Sequence, residues 1–261
     1  MVLFKSLCME IKYKINRSYS NIEDWVLDLG ESFDNQGDFI IDSRNQVKLI
    51  EFNNQKFVVK YFKRISGINR YVYRYLRKSK GERAYQYANI MIDKGIETPA
   101  PVAFLDVYKG LTIEKSFFVS KFIDYNSVSD LPEVCDPKTE KILSELAKFL
   151  HRVHKEGIFH KDLNVGNIMY KIENEEVKFA LIDNNRMKFV KYTDRRAMRN
   201  MRRLKMPLIN YAVLMREYAK ISNQSEYKTM GLSVFYKNMH TLYRNKKKRI
   251  KNKAKSLVLF W

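Results

Sequence analysis

Cysteine is scarce. Cys8 and Cys135 are the only two in 261 residues, which excludes a disulfide scaffold and a cysteine-rich metal site and suits a reducing cytosol. No apolar run reaches the ~18 residues that a membrane-crossing helix needs, so no transmembrane span is expected. The opening Met1-Val2-Leu3-Phe4-Lys5 lacks the apolar stretch and cleavage site of a secretory signal. No segment recurs at intervals of about 20–50 residues, which sets solenoids aside, and no low-complexity linker divides the chain. Acids are also few: 29 against 49 Lys and Arg, for a net charge of +20. Such a field attracts phosphates, nucleic acid or anionic lipid heads. These absences point to a soluble, basic, intracellular globular protein. With 45% hydrophobic residues it has ample material for a core, and general disorder is excluded.

Five strand-like runs occupy the first half: Phe39–Ile41, Val47–Phe52, Lys56–Phe62, Val102–Val107 and Ser116–Ile123. Asp42-Ser43-Arg44-Asn45, Asn53-Asn54 and Lys109-Gly110 supply turn chemistry between them. One helix is predicted over residues 81–94, with Ala84, Ala88 and Ile92 spaced by four and Gly95 as its stop. The character then changes. Asp136-Pro137 opens a helix with Ile142, Leu143, Leu146, Leu150 and Val153 on one face, closed by Gly157. Beyond residue 195 the pattern is mostly helical. The expected architecture is α+β, with an N-terminal lobe over 1–123 whose first 37 residues form a peripheral extension. A helical lobe follows over 124–261, ending in a basic tail at 237–261.

The segment richest in chemistry is His160-Lys161-Asp162-Leu163-Asn164-Val165-Gly166-Asn167-Ile168. Aspartate and asparagine five apart, on a loop between helix and strand, suit phosphoryl transfer: one accepts a hydroxyl proton and the other holds a metal ion. A predicted hairpin, Ile168–Ile172 with Val177–Ile182, delivers Asp183, a second hard oxygen ligand of the kind Mg²⁺ prefers. Lys60 ends an apolar strand, where a cation can reach nucleotide phosphates.

These pieces resemble the protein-kinase-like superfamily, and within it the bacterial lipopolysaccharide kinases, the family of Kdo kinases and core heptose kinases. The resemblance rests on Val58-Val59-Lys60, Gly95-Ile96-Glu97-Thr98-Pro99-Ala100-Pro101, the Asp162 loop and Leu181-Ile182-Asp183-Asn184-Asn185-Arg186, and it spans roughly residues 38 to 210. It implies a two-lobed fold with a five-stranded antiparallel sheet and one helix in the first lobe. It implies Asp162 as catalytic base, Asn167 and Asp183 as Mg²⁺ ligands and Lys60 as the ATP phosphate-binding lysine. The stretch around Ser120-Lys121-Phe122-Ile123 would be the hinge between the lobes, meeting adenine through its backbone. Lys60 would pair with a helix carboxylate; Glu82 and Gln86 both lie at suitable spacing, and Glu82 is preferred as the only acid of the two.

The sequence departs from kinases at several points. No glycine-rich loop covers the phosphates; Ser43-Arg44-Asn45 stands there, so Arg44 is the expected substitute. Asn184-Asn185 replaces Phe-Gly, no Ala-Pro-Glu follows, and Asn164 stands where protein serine/threonine kinases usually carry lysine. A peptide-binding platform and an activation-loop switch are therefore not implied.

His151 and His154 lack the convergent ligands that zinc needs and read as structural, whereas His160 matches the histidine that supports catalytic-loop geometry. Residues 60–83 and 186–205 each hold nine Lys or Arg and one acid; residues 237–255 hold nine and no acid. Arg186 and the basic residues after it are placed to hold acidic sugars. The last cluster runs into Leu257-Val258-Leu259-Phe260-Trp261, a combination that fits attachment to an anionic membrane surface. The expectation is an ATP- and Mg²⁺-dependent kinase of a lipopolysaccharide core or lipid-linked sugar, peripheral on the cytoplasmic face of the bacterial inner membrane. A kinase of another small molecule or of a protein (aminoglycoside-type or RIO-type) is the alternative. A silent kinase-shaped module binding a polyanion is the rival; nucleic acid is not favoured, and the oligomeric state is not read from the sequence.

Overall fold

The computed structural model describes residues 2–6, 9–63, 65–133 and 136–258. Cys8, Cys135 and the tail end Leu259-Phe260-Trp261 lie outside them. The chain forms two compact units, Met1–Tyr125 with Ala180–Met187, and Asn126–Phe179 with Lys188–Trp261.

The first unit is built on an antiparallel sheet of β1 (Val2–Ser6), β2 (Met9–Ile15), β3 (Asp38–Asp42), β4 (Gln46–Phe52), β5 (Gln55–Tyr61), β6 (Pro101–Lys109) and β7 (Thr112–Lys121), in the order β1-β2-β6-β7-β5-β4-β3. Two strands therefore join the five expected. The first 37 residues are not peripheral: β2 pairs along β6 from Met9↔Lys109 to Ile15↔Ala103. Its Ile11, Tyr13 and Ile15 alternate onto the core face, the two-residue period of a half-buried strand. On the same face α1 (Glu23–Ser32) buries Trp25, Val26 and Leu29. Trp25 stacks on Phe52 at 5.0 Å between ring centroids. Lys48 points into this layer and is 2% exposed. Its ammonium donates to the carbonyls of Phe33, Asp34 and Gln36 at 2.8–3.0 Å, satisfying the acceptors left where the α1 segment ends.

The opposite face carries α2 (Gly67–Tyr75) and α3 (Lys80–Asp93), so this unit holds three helices where one was expected. Ser79 caps α3 by accepting the Glu82 amide, and Gly95 ends it with a φ of +67°. Gly81 permits a close approach: a Cβ there would meet the Phe117 carbonyl at 2.3 Å. With helices on both sides, β6 is buried almost throughout, including Asp106.

In the second unit, β8 (Asn126–Ser127) precedes α4 (Pro137–Lys155), which begins where Asp136 accepts the Thr139 amide at 2.7 Å. Ile142, Leu143, Leu146, Leu150 and Val153 are buried on one face of α4, as their spacing predicts. Strand β9 (Ile158–His160) leads into the Asp162 loop, and β10 (Ile168–Glu173) and β11 (Glu176–Leu181) form the expected hairpin, turning through Asn174 and Glu175, both at positive φ. After β12 (Met187–Phe189) come α5 (Asp194–Met201), α6 (Leu208–Ile221) and the 33-residue α7 (Glu226–Val258). Thr229 and Ser233 anchor α7, and residues 241–250 are exposed all round. No helix among the described residues is long and apolar enough to cross a membrane.

Candidate active site

Lys60 and Asp183 belong to the first unit, Asp162 and Asn167 to the second. In the first unit, Lys60 stands at the end of β5 and its ammonium meets Asp183 Oδ1 at 2.5 Å. Asp183 adopts a left-handed backbone, φ 59° and ψ 47°, a conformation costly for a residue with a Cβ and held only when its surroundings fix it. The fixing contacts are present. Leu181 N–H donates to the Glu97 carbonyl at 3.0 Å, and the Thr98 hydroxyl donates to the Leu181 carbonyl at 2.7 Å. Thr98 in turn accepts from Asn184 Nδ2 at 2.6 Å, and Asn185 Nδ2 donates to Asp183 Oδ1 at 2.7 Å. The Gly95–Pro101 segment thus braces the aspartate, and the two asparagines that replace Phe-Gly act as its struts.

Glu82 does not pair with Lys60. Its Oε2 receives Lys12 at 2.6 Å and its Oε1 receives Gln86 Nε2 at 3.1 Å. The reason lies in the unforeseen strand: β2 places Lys12 on the sheet face toward α3, where it satisfies the carboxylate. The hinge expectation also changes. Phe122 N–H is committed to the Lys56 carbonyl and Lys121 N–H to Ala100, so neither amide is offered to adenine, and Ser120 is buried.

Arg44 is exposed on the β3–β4 turn. Lys80, at the start of α3, was not singled out from sequence. Burial, then the positive charges of Arg44, Arg83 and Lys60, lowers its pKa, with Asp183 opposing. Arg44, Lys60 and Asp183 thus all lie close enough to Lys80 to act on its charge, and the surplus of cations suits an anionic ligand such as a phosphate chain.

In the second unit the Asp162 loop is knitted by short-range bonds. His160 Nδ1 accepts the Asp162 amide at 3.0 Å. Asn164 Nδ2 and Asn167 Nδ2 both donate to the Asp162 carbonyl, at 3.0 and 2.9 Å, and Asn164 Oδ1 accepts the Gly166 amide at 3.0 Å. Asn164, in the lysine position of many kinases, is thus a brace. An Asn167 held through its NH₂ presents its amide oxygen as the end available to a cation.

Behind the loop sits fully buried His154. Burial lowers its pKa to about 4. Asn200 Nδ2 donates to the His160 carbonyl at 2.8 Å, so its Oδ1 is the acceptor for His154 Nε2 at 3.1 Å. Nδ1 of the neutral ring then accepts from Tyr218 at 2.9 Å. No group of three or more His, Cys, Asp or Glu suited to a metal gathers among the described residues. Asn167 in the second unit and Asp183 in the first each carry a hard oxygen donor of the kind Mg²⁺ takes.

Asp162 opens onto a cleft of about 1060 Å³ lying wholly within the second unit. Arg202, Arg203 and Lys205 line it from the end of α5, and His240, Arg244 and Lys247 from α7. Arg203 Nη1 holds Asp162 Oδ1 at 2.6 Å. The basic composition of residues 186–205 and 237–255 signalled such a surface, but not which arginine would meet the aspartate.

Residues 44–225 match the lipopolysaccharide kinase (Kdo/WaaP) family. No curated protein matches the chain. Among solved structures it is similar to WaaP in complex with acyl carrier protein, at 11% identity and a TM-score of 0.61, covering 87% of this chain and 97% of that one. It is also similar to the Rio2 kinase of Chaetomium thermophilum, from a complex with ADP, Mg²⁺ and phosphoaspartate, at 12% identity and 0.46, covering 86% and 77%. The first of these similarities supports a protein-kinase-like fold. With most of its length matched, including Lys60, Asp162, Asn167 and Asp183, the chain belongs to the lipopolysaccharide kinase (Kdo/WaaP) family.

Proposed function

We propose that the protein transfers the γ-phosphoryl group of ATP to a sugar hydroxyl, of Kdo or heptose, in the inner core of lipopolysaccharide. The observation that carries this reading is the Asp162 carboxylate, held on a rigid loop at the head of a cation-lined cleft. Asp162 orients the acceptor hydroxyl and takes its proton as the new oxygen–phosphorus bond forms and the bond to ADP breaks. Lys60 orients the nucleotide phosphates, with Arg44 and Lys80 adding charge, and Asn167 and Asp183 would each supply an oxygen ligand to Mg²⁺. When bound, the ion neutralises charge on the transferred group. Positioning and electrostatics of this kind account for most of the rate in phosphoryl transfer.

The deciding experiment combines purified protein, labelled ATP and delipidated core oligosaccharide with mass spectrometry of lipopolysaccharide from cells with and without the gene. A gain of one phosphate that depends on the protein supports the reading; identical glycoforms and no transfer reject it. The WaaP comparison structure holds acyl carrier protein, and co-purification with the full-length chain asks whether that partner is shared.

We also assign the protein to the cytoplasmic face of the inner membrane, held by α7. Its exposed stretch carries Arg244, Lys246, Lys247, Lys248 and Arg249 beside Leu242, Tyr243 and Ile250. Basic charge draws such a helix to anionic lipid at roughly 1 kcal/mol per residue, and apolar side chains retain it. Deleting residues 244–261 is expected to abolish sedimentation with anionic vesicles while the rest of the chain stays folded. A truncated protein that still sediments at physiological salt refutes the assignment.

A further inference from the structure

The Asp162–Arg203 pair occupies the carboxylate that the proposed reaction needs. Arg203 holds it through one nitrogen, Nη1 at 2.6 Å, and its Nε is buried with no hydrogen-bond partner. A guanidinium can donate two parallel bonds to an oxyanion, and here that capacity is only partly used. The surroundings are short of negative charge. Among the described residues lining the cleft Asp162 is the one acid, against Arg202, Lys205, Arg244 and Lys247 besides Arg203. His240 joins them, its pKa lowered by burial and then by Arg203, Arg202, Arg244 and Lys205. The cleft is therefore built for an anion it does not itself supply.

We propose that Arg203 is a latch operated by the acceptor: it covers Asp162 in the empty cleft and moves to a phosphate or carboxylate carried by the acceptor within about one sugar residue of the reacting hydroxyl. A neutral alcohol reaching Asp162 must strip Arg203 of the carboxylate it holds. An acceptor that bears its own oxyanion gives Arg203 a replacement, closes the unused Nε–H bond and releases Asp162 in the same movement. Arg203 is thus a positioning residue that selects anionic acceptors over neutral ones of the same shape. The word acceptor rests on the kinase reading; the exchange of Arg203 between two anions does not.

The test is a binding cycle on the full-length protein by isothermal titration calorimetry. A non-hydrolysable ATP analogue and Mg²⁺ are present, and inorganic phosphate is the probe. Arg203→Gln is expected to weaken phosphate binding about tenfold and Arg203→Lys to recover part of the loss. Asp162→Asn, which frees Arg203, is expected to tighten binding about fivefold. That gain must vanish when Asp162→Asn is made on the Arg203→Gln background. A gain that persists there shows a bulk charge effect and overturns the latch, as does phosphate affinity indifferent to Arg203. Glucose in place of phosphate should give no heat. Phosphatidylglycerol vesicles distinguish the source of the anion: Arg203-dependent binding to vesicles but not to phosphate overturns the proposal in favour of a lipid headgroup. Failure to bind the ATP analogue rejects the kinase reading separately, because the phosphate cycle is read without turnover.

Discussion

Acidification should destabilise the fold through His154. In the unfolded chain this histidine titrates near 6.5, whereas burial holds its folded pKa at about 4. The folded state therefore resists the proton that the unfolded state accepts. The contribution is fully present above pH 6.5 and is lost as the pH falls toward 4; below that no more is lost. Each unit of difference is worth a little over 1 kcal/mol, so the full loss is about 3 kcal/mol, of which about 2 kcal/mol falls between pH 7 and pH 5. Protonation also removes the Nδ1 acceptor used by Tyr218, while the Nε2–H bond to Asn200 is kept and opposes the shift. His154→Gln keeps groups able to bond both neighbours and removes the titration. Urea unfolding of both proteins at pH 7 and pH 5 reads the difference: the wild type should lose about 2 kcal/mol more than the variant. Equal losses would refute the assignment of a neutral, buried His154.

Asp106 should behave in the opposite sense. Its oxygens are buried with no hydrogen-bond partner, and burial raises its pKa to about 7, with the nearby Ser79 and Ser116 hydroxyls opposing. The folded state then holds a proton that the unfolded chain has released, so stability falls as pH rises from about 4 to 7. Asp106→Asn should flatten that slope; an unchanged melting profile across the window counts against it. Asp162→Asn should lower kcat on the order of 10²–10⁴-fold with nucleotide affinity nearly intact, and a variant retaining most of its turnover would remove Asp162 from the mechanism. Asp183→Asn should weaken Mg-ATP binding more than metal-free ATP binding, whereas equal losses would show that the carboxylate does not act through the ion.

The parts of the site legible in the sequence are those held by neighbours in the chain. Asp162, Asn164 and Asn167 contact one another within five residues, so spacing alone carried the loop. The α4 face was legible because its helical period is undisturbed by other demands. What escaped depends on distant partners. Strand β2 alternates Met9, Ile11, Tyr13 and Ile15 with charged residues, a strand signal hidden by its position before the recognisable motifs. Lys12 is hidden with it, and Lys12 is the lysine that Glu82 meets, not Lys60. Arg203 is one of nine basic residues in its cluster, and only the fold of the α5–α6 region sets it against Asp162.

The split composition of the first unit has a consequence for biosynthesis. Its sheet is encoded before residue 126, but Asp183 and its struts arrive only with Ala180–Met187. During translation the strands can pair while Glu97 and Thr98 still lack Leu181 and Asn184 as partners. Lys60 likewise waits for its carboxylate. Closing so long an excursion costs chain entropy before any bond rewards it. The nascent first unit is therefore a sheet without its acidic centre, and a ribosome stalled before residue 180 should display a folded domain that lacks the Lys60–Asp183 ion pair.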